Sequence, residues 1–216
     1  MKVSINSCFS GAQKSKGIAV IIDVISASST IVNLFEAGVK TVIPVNSIKK
    51  AKDLKTRTKN SLICAELRHK MRGIDFLNSP IVPENLEGKT IIIKTNAGTK
   101  GLLGAKKADQ IIVGCFLNSG AVVDYIKRLK PNEVSLVPMG NSGKTPAAED
   151  EACAVYLREL LQNKEVNFEK VKEKIIKGSL KNLLRSVITP ENMDSVLQLD
   201  TSKIVPELVD GRIVAK

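Results

Sequence analysis

Ile18-Ala19-Val20-Ile21-Ile22-Asp23-Val24 is an apolar run that meets an acid close to its end. A strand with one wet face alternates apolar and polar residues. A run without alternation suits a strand covered on both faces, as in a parallel sheet between helices. Downstream, Ser28, Ser29 and Thr30 offer N-caps to a short helix through Glu36, and Gly38 suits its C-terminal stop. Thr41–Val45 predicts another strand, and Ser47 caps a basic amphipathic helix over about 48–56. Upstream, Lys2–Ile5 predicts a first strand and the polar residues 7–17 a loop.

The alternation continues. Strands are predicted at Ser61–Ala65, 90–94, Gln110–Gly114 and Glu133–Pro138. Helices are predicted near 100–106, from Ser119 to Leu129 and over about 147–163, with an irregular stretch at 66–87. Residues 167–197 read as two or three helices, one opening at Thr189-Pro190-Glu191. Ile204–Val209 and Arg212–Ala215 around Asp210-Gly211 predict a terminal hairpin. Together these predict one α/β domain over 1–216, three-layer α/β/α, with a largely parallel or mixed central sheet and a helical C-terminal portion at about 165–200.

The 216 residues are 43% hydrophobic and 25% charged, which excludes general disorder. No apolar run approaches the ~20 residues of a membrane span, and the first residues lack the apolar core of a secretory signal. A cytoplasmic protein without a membrane partner is expected. The net charge of +11 comes mainly from lysine, since only seven of the 33 basic residues are arginine. With aromatics at 3% and no Trp, there is little material for stacking on bases, so a nucleic-acid partner is not expected. A homodimer is expected only because such assemblies are common.

Cys8, Cys64, Cys115 and Cys153 show no CxxC spacing, and reduced buried thiols are expected. No C-x5-R phosphate loop surrounds Cys115 or Cys153. The one histidine, His69, stands between Arg68 and Lys70, which excludes a His-rich metal site and suits a solvated surface residue. No G-x-S-x-G elbow is present to serve it.

In layered α/β folds, ligands bind beyond the carboxyl ends of the strands. Asp23, Glu66, Thr95, Asn96, Asn118, Glu149 and Asp150 all follow predicted strands. Such residues also serve as plain helix caps, but five loops rich in acids, amides and hydroxyls suit a polar, phosphorylated ligand. Gly140-Asn141-Ser142-Gly143-Lys144-Thr145 nearly spells the nucleotide P-loop, but Pro138 occupies the first glycine position and has no N–H to offer. An NTPase reading predicts nucleotide binding through Lys144; the weaker expectation is that Gly143 and Lys144 help hold an anion.

Asp23, Asp75, Glu149 and Asp150 offer hard oxygen donors without His or paired thiolates, which suits Mg²⁺ rather than zinc. Each also suits an ordinary role: Asp23 as a helix cap, Asp75 in a turn, Glu149 and Asp150 at a helix N-terminus.

The same segments resemble the 2-phosphosulfolactate phosphatase family. Asp23-Val24-Ile25-Ser26-Ala27-Ser28-Ser29-Thr30 is similar to the family's D-V-L-R-A-S/T-S/T-T, and Gly73-Ile74-Asp75-Phe76-Leu77-Asn78-Ser79-Pro80 to G-F-D-L-G-N-S-P. Thr95-Asn96-Ala97-Gly98-Thr99-Lys100 resembles T-T-N-G-T-R/K, and Gly114-Cys115-Phe116-Leu117-Asn118-Ser119 resembles G-S-F-L-N-A. The Gly-rich loop with Glu149-Asp150 and Cys153 resembles A-G-T-x-G followed by E-D-x-x-C, and Asp210-Gly211-Arg212 the terminal D-G-R. Six motifs run in order from about residue 18 to 212.

The resemblance implies a Mg²⁺-dependent phosphatase of three-layer α/β/α fold. Its small anionic substrate would be 2-phosphosulfolactate, hydrolysed to 3-sulfolactate on the route to coenzyme M. Asp23, Asp75, Glu149 and Asp150 would then be catalytic and metal-binding. Ser26, Ser28, Asn78, Asn96, Gly98, Thr99, Lys100, Asn118, Gly143 and Lys144 would bind substrate. Three positions depart from the family pattern: Ser26 replaces its Arg, Ala97 its Asn and Leu77 its Gly. Loss of the Arg removes a bidentate anion clamp, for which Arg68, Arg72, Lys94 or Lys100 could substitute. The departures leave two alternatives, a different phospho-acid substrate or a non-catalytic anion-binding relative.

Overall fold

The computed structural model describes residues 1–67, 69, 71–183 and 189–216; for residues 179–183 only the backbone is described. Ten strands form one sheet: β1 (Lys2–Ile5), β2 (Ile18–Ile22), β3 (Thr41–Pro44), β4 (Ser61–Ala65), β5 (Phe76–Leu77), β6 (Thr90–Lys94), β7 (Gln110–Gly114), β8 (Glu133–Pro138), β9 (Pro206–Val209) and β10 (Arg212–Ala215). The helices among the described residues are α1 (Cys8–Lys14), α2 (Ala27–Glu36), α3 (Ile48–Lys55), α4 (Gly98–Gly104), α5 (Ser119–Leu129), α6 (Ala148–Leu161), α7 (Phe168–Leu183) and α8 (Pro190–Val196). None is long and apolar enough to cross a membrane. Residues 7–17 are not the expected loop, because Cys8 takes a left-handed φ of 66° and starts α1. The irregular stretch 66–87 contributes the short edge strand β5.

The strand order is β1-β8-β2-β7-β9-β10-β3-β6-β4-β5. Pairing is parallel within the first four strands and within the last four. The hairpin β9–β10 lies between these blocks, antiparallel to β7 on one side and to β3 on the other. Three successive antiparallel contacts set the two parallel blocks in opposite directions.

β2 explains why its sequence does not alternate. Ile18, Val20 and Ile22 face a core shared with Val122, Ile126, Leu157 and Ile175 of α5, α6 and α7. Ala19 and Ile21 face a second core with Ile31, Leu34 and Leu102 of α2 and α4. All five strand residues are buried, each face against helices. The second core also holds Val42, Ile91 and Ile93 of β3 and β6, so both blocks close on the α2–α4 layer. α3 covers the other face of the second block through Ala51, against Ile43, Ile63 and Ile92. The result is the three-layer α/β/α arrangement with a mixed sheet. Closure of both blocks on α2 and α4 brings strand ends together that a flat sheet would hold apart.

Candidate active site

The carboxyl ends of β2, β6 and β8 meet through two buried aspartates. Asp23, directly after β2, accepts the Gly98 N–H at 2.7 Å on Oδ2 and the Ala27 N–H at 3.3 Å on Oδ1. It therefore ties the start of α4 to the start of α2. Asp150, in the first turn of α6, accepts the Val24 N–H at 2.8 Å and the Gly140 N–H at 2.8 Å. It ties the β2 end to the loop after β8. Glycine is required at 98, where a Cβ would stand 2.6 Å from Ala27 Cβ and 3.0 Å from Asp23 Oδ2.

Between these ends lies a cleft of about 130 Å³ lined by Asp23, Glu66, Glu149 and Asp150, with Ile25, Ala97 and residues 140–142. Four carboxylates converge there, and among the described residues that line it there is no lysine or arginine. Burial and the charges of Glu66 and Glu149 push the Asp23 carboxyl up to about 7. Burial first, then Asp23 and Glu149, raise Asp150 well above the ordinary carboxylate range, and burial raises Glu149. A larger cavity of about 570 Å³ lies at the opposite strand ends, among Lys16, Lys107, Asp109 and Glu133, and none of these charged residues is buried. The chemistry gathers in the smaller cleft.

The other expected site residues fall into distinct places. Asp75 is not brought to the cleft: Lys55 Nζ holds its carboxylate at 2.6 Å and the Ile63 N–H donates to it at 2.6 Å, so it anchors α3 to β4. Asn118 is fully buried, accepting from the Cys115 N–H and donating to the Val113 and Ile204 carbonyls, which makes it a tie between the β7 end and the hairpin. Ser28 accepts the Asp23 N–H and donates to the Ile21 carbonyl, instead of capping α2. Thr99 and Thr95 hydrogen-bond each other across the β6–α4 turn. Ser26 and Asn78 pair at 2.9 Å, and Asn78 Oδ1 is buried without a partner.

The loop after β8 is a tight reverse turn, with N–H groups of Asn141, Gly143 and Lys144 bonded to carbonyls within it. They are not arrayed as a phosphate cradle, and the Lys144 side chain is exposed. Lys100 Nζ reaches the Ser142 carbonyl at 3.4 Å, and Lys94 Nζ the Asn96 side chain at 2.6 Å. Arg72 and His69 are exposed, and Arg68 lies outside the described residues. All four cysteines are buried and free, and burial raises their thiols, so none resembles an activated nucleophile.

Glu66 is the residue that the sequence reading placed at a strand end without assigning it to the site. It lines the cleft as Asp23 does, one residue beyond the end of its strand.

Among the described residues no three of His, Cys, Asp or Glu are grouped to hold a metal ion. Mg²⁺ usually keeps several waters and takes only one or two carboxylates together with substrate phosphate. The donor chemistry fits such an ion, because carboxylates that raise one another toward protonation are relieved by a divalent cation.

A family model described as 2-phosphosulpholactate phosphatase matches residues 8–211. A protein of Thermotoga petrophila named "Probable 2-phosphosulfolactate phosphatase" is 34% identical over 214 residues, covering 92% of each chain. A protein of Clostridium perfringens with the same name is 38% identical over 173 residues, 76% of this chain and 69% of its own. The match takes in Asp23, Glu66, the β6–α4 turn, Glu149 and Asp150, the residues from which the cleft is built. The chain belongs to the 2-phosphosulpholactate phosphatase family, a family of phosphoric monoester hydrolases.

Proposed function

We propose that this chain is a Mg²⁺-dependent phosphatase that hydrolyses 2-phosphosulfolactate to 3-sulfolactate and phosphate, a product on the route to coenzyme M. The convergence of Asp23, Glu66, Glu149 and Asp150 in one small cleft carries the reading. A dianionic phosphate ester does not enter a cleft of carboxylates unaided, so a hard cation is part of the site. Asp23 and Glu149 would hold it, with Asp150 fixing the loop beside them. The chemistry that Mg²⁺ would supply there is neutralisation of charge on the phosphoryl oxygens. Glu149 would take the proton from the attacking water through the carboxylate oxygen that it leaves off the metal. The Ala97 turn and residues 140–142 form walls of the cleft.

A second reading is favoured by Ser26, paired with Asn78 where the family pattern has Arg, and by the want of lysine and arginine among the described residues that line the cleft. It has the same hydrolysis acting on a different phospho-hydroxyacid, one without a sulfonate to clamp.

Phosphate release is to be measured with 2-phosphosulfolactate and a panel of phospho-hydroxyacids, with Mg²⁺ and with EDTA. Release from 2-phosphosulfolactate above the panel supports the first reading, and preference for another ester the second. Binding of phosphate without turnover of any ester leaves the non-catalytic relative.

A further inference from the structure

Glu66 lines the cleft, yet both of its carboxylate oxygens are engaged by one neighbouring residue. Oε2 accepts the Asn96 backbone N–H at 2.6 Å, and Oε1 accepts Asn96 Nδ2 at 2.7 Å. On the other side of that amide, Lys94 Nζ donates to Asn96 Oδ1 at 2.6 Å. Ammonium, amide and carboxylate thus form a directional relay in which each link sets a donor against an acceptor. Charged ends make such bonds short and strengthen the amide between them. The Glu66 N–H also bonds the Lys94 carbonyl at 2.9 Å, which locks the two strand ends in register. Asn96 stands two residues before Gly98, whose N–H holds Asp23 Oδ2.

We propose that Glu66 is a positioning residue for the phosphatase reaction: together with Lys94 it clamps Asn96, and through the Asn96–Gly98 turn it sets where the Asp23 carboxylate points. The proposal rests on the hydrolase reading of the cleft. It gives Asn96 a task other than substrate contact, since both ends of its side chain are taken.

The relay has a polarity, and polarity can be exchanged. Asn96→Asp sets a charged acceptor against Glu66 Oε1. Loss of a charge-assisted bond of this kind is expected to slow kcat about tenfold or more and to speed hydrogen exchange at the Gly98 amide about tenfold. Adding Glu66→Gln restores every pairing: the new amide carbonyl accepts the N–H of residue 96, its NH₂ donates to the new carboxylate, and Lys94 keeps an acceptor. The net charge equals that of the wild type. The double variant is expected to recover both kcat and Gly98 exchange to within about threefold of wild type. Failure of either readout to recover overturns the proposal, because the charge of Glu66 itself would then be what matters.

Where Asn96→Asp does not fold, Glu66→Gln alone sets donor against donor and is expected to speed Gly98 exchange; unchanged exchange overturns the proposal. A wild type that turns over no ester defeats the hydrolase reading, while Gly98 exchange still decides whether the relay holds the turn.

Discussion

Gly98 donates its backbone N–H to Asp23 Oδ2 at 2.7 Å, joining residues 75 positions apart from two strand blocks that run in opposite directions. Through this one bond the carboxylate at the end of β2 acquires a fixed direction. The bond exists because residue 98 has no side chain to obstruct it and because both blocks close on the same helical layer.

Gly98→Ala is expected to destabilise the protein by about 1–3 kcal/mol, the usual cost of overpacking a well-filled interior. The added methyl meets Ala27 Cβ and the Asp23 carboxylate, so phosphate release falls along with stability. Urea unfolding and a steady-state phosphate assay on the same preparation check both effects.

Asp23→Asn and Glu149→Gln are each expected to lower kcat by about 100-fold or more, with little change in circular dichroism. Mg²⁺ is expected to raise the wild-type melting temperature through binding linkage, and the rise should disappear in both variants. Near-normal phosphate release by both variants would remove Asp23 and Glu149 from the metal site.

Stability in EDTA carries a pH signature. The Asp23 carboxyl lies at about 7 in the folded chain against an ordinary 3.8, raised by burial first and then by Glu66 and Glu149. A carboxyl that holds its proton more tightly when folded favours the folded state at low pH and loses that contribution as pH rises between the two values. Glu149 and Asp150 are raised as well and act with the same sign. Unfolding free energy of the wild type minus that of Asp23→Asn is therefore expected to fall by on the order of a few kcal/mol between about pH 4 and about pH 7. A difference that stays flat across this range contradicts the buried-charge account.

Ile213→Ala tests the hairpin. Ile213 is fully buried, pairs with Val42 of β3 and packs in the core common to both blocks. A loss of about 2–5 kcal/mol is expected, measured by chemical unfolding. Since the residue lies where the blocks join, amide exchange should rise in β3 and β7 together.

The strands other than β5, most helices and the hairpin turn were legible in the sequence, because periodicity, caps and Asp210-Gly211 are local features. α1 was not, since its seven residues are too few to show a period, Gly11 lies among them, and its start depends on a left-handed Cys8; contacts with Gly143 and with α4 hold it in place. The placement of the hairpin inside the sheet was also hidden, because nothing near residues 206–215 encodes which strands will flank them.

The site was half legible. Asp23, Glu149 and Asp150 stand where their motifs put them. Asp75 looks equally suitable in sequence, and only Lys55, distant in the chain, reveals it as one half of an ion pair. Asn118 follows a strand as Asn96 does, but its amide turns inward to tie carbonyls. Glu66 carried the same strand-end signature as Asp23, yet no motif drew attention to it.

The insertion of β9–β10 between strands that precede it in the chain has a consequence for synthesis. A ribosome delivers both parallel blocks before it delivers the hairpin that unites them. Until then, the sides of β7 and β3 that will receive the hairpin expose unpaired peptide groups, a template for pairing with a neighbouring nascent chain. The interval between emergence of β8, which completes the first block, and arrival of the hairpin is thus the period in which a chaperone would matter most to this fold.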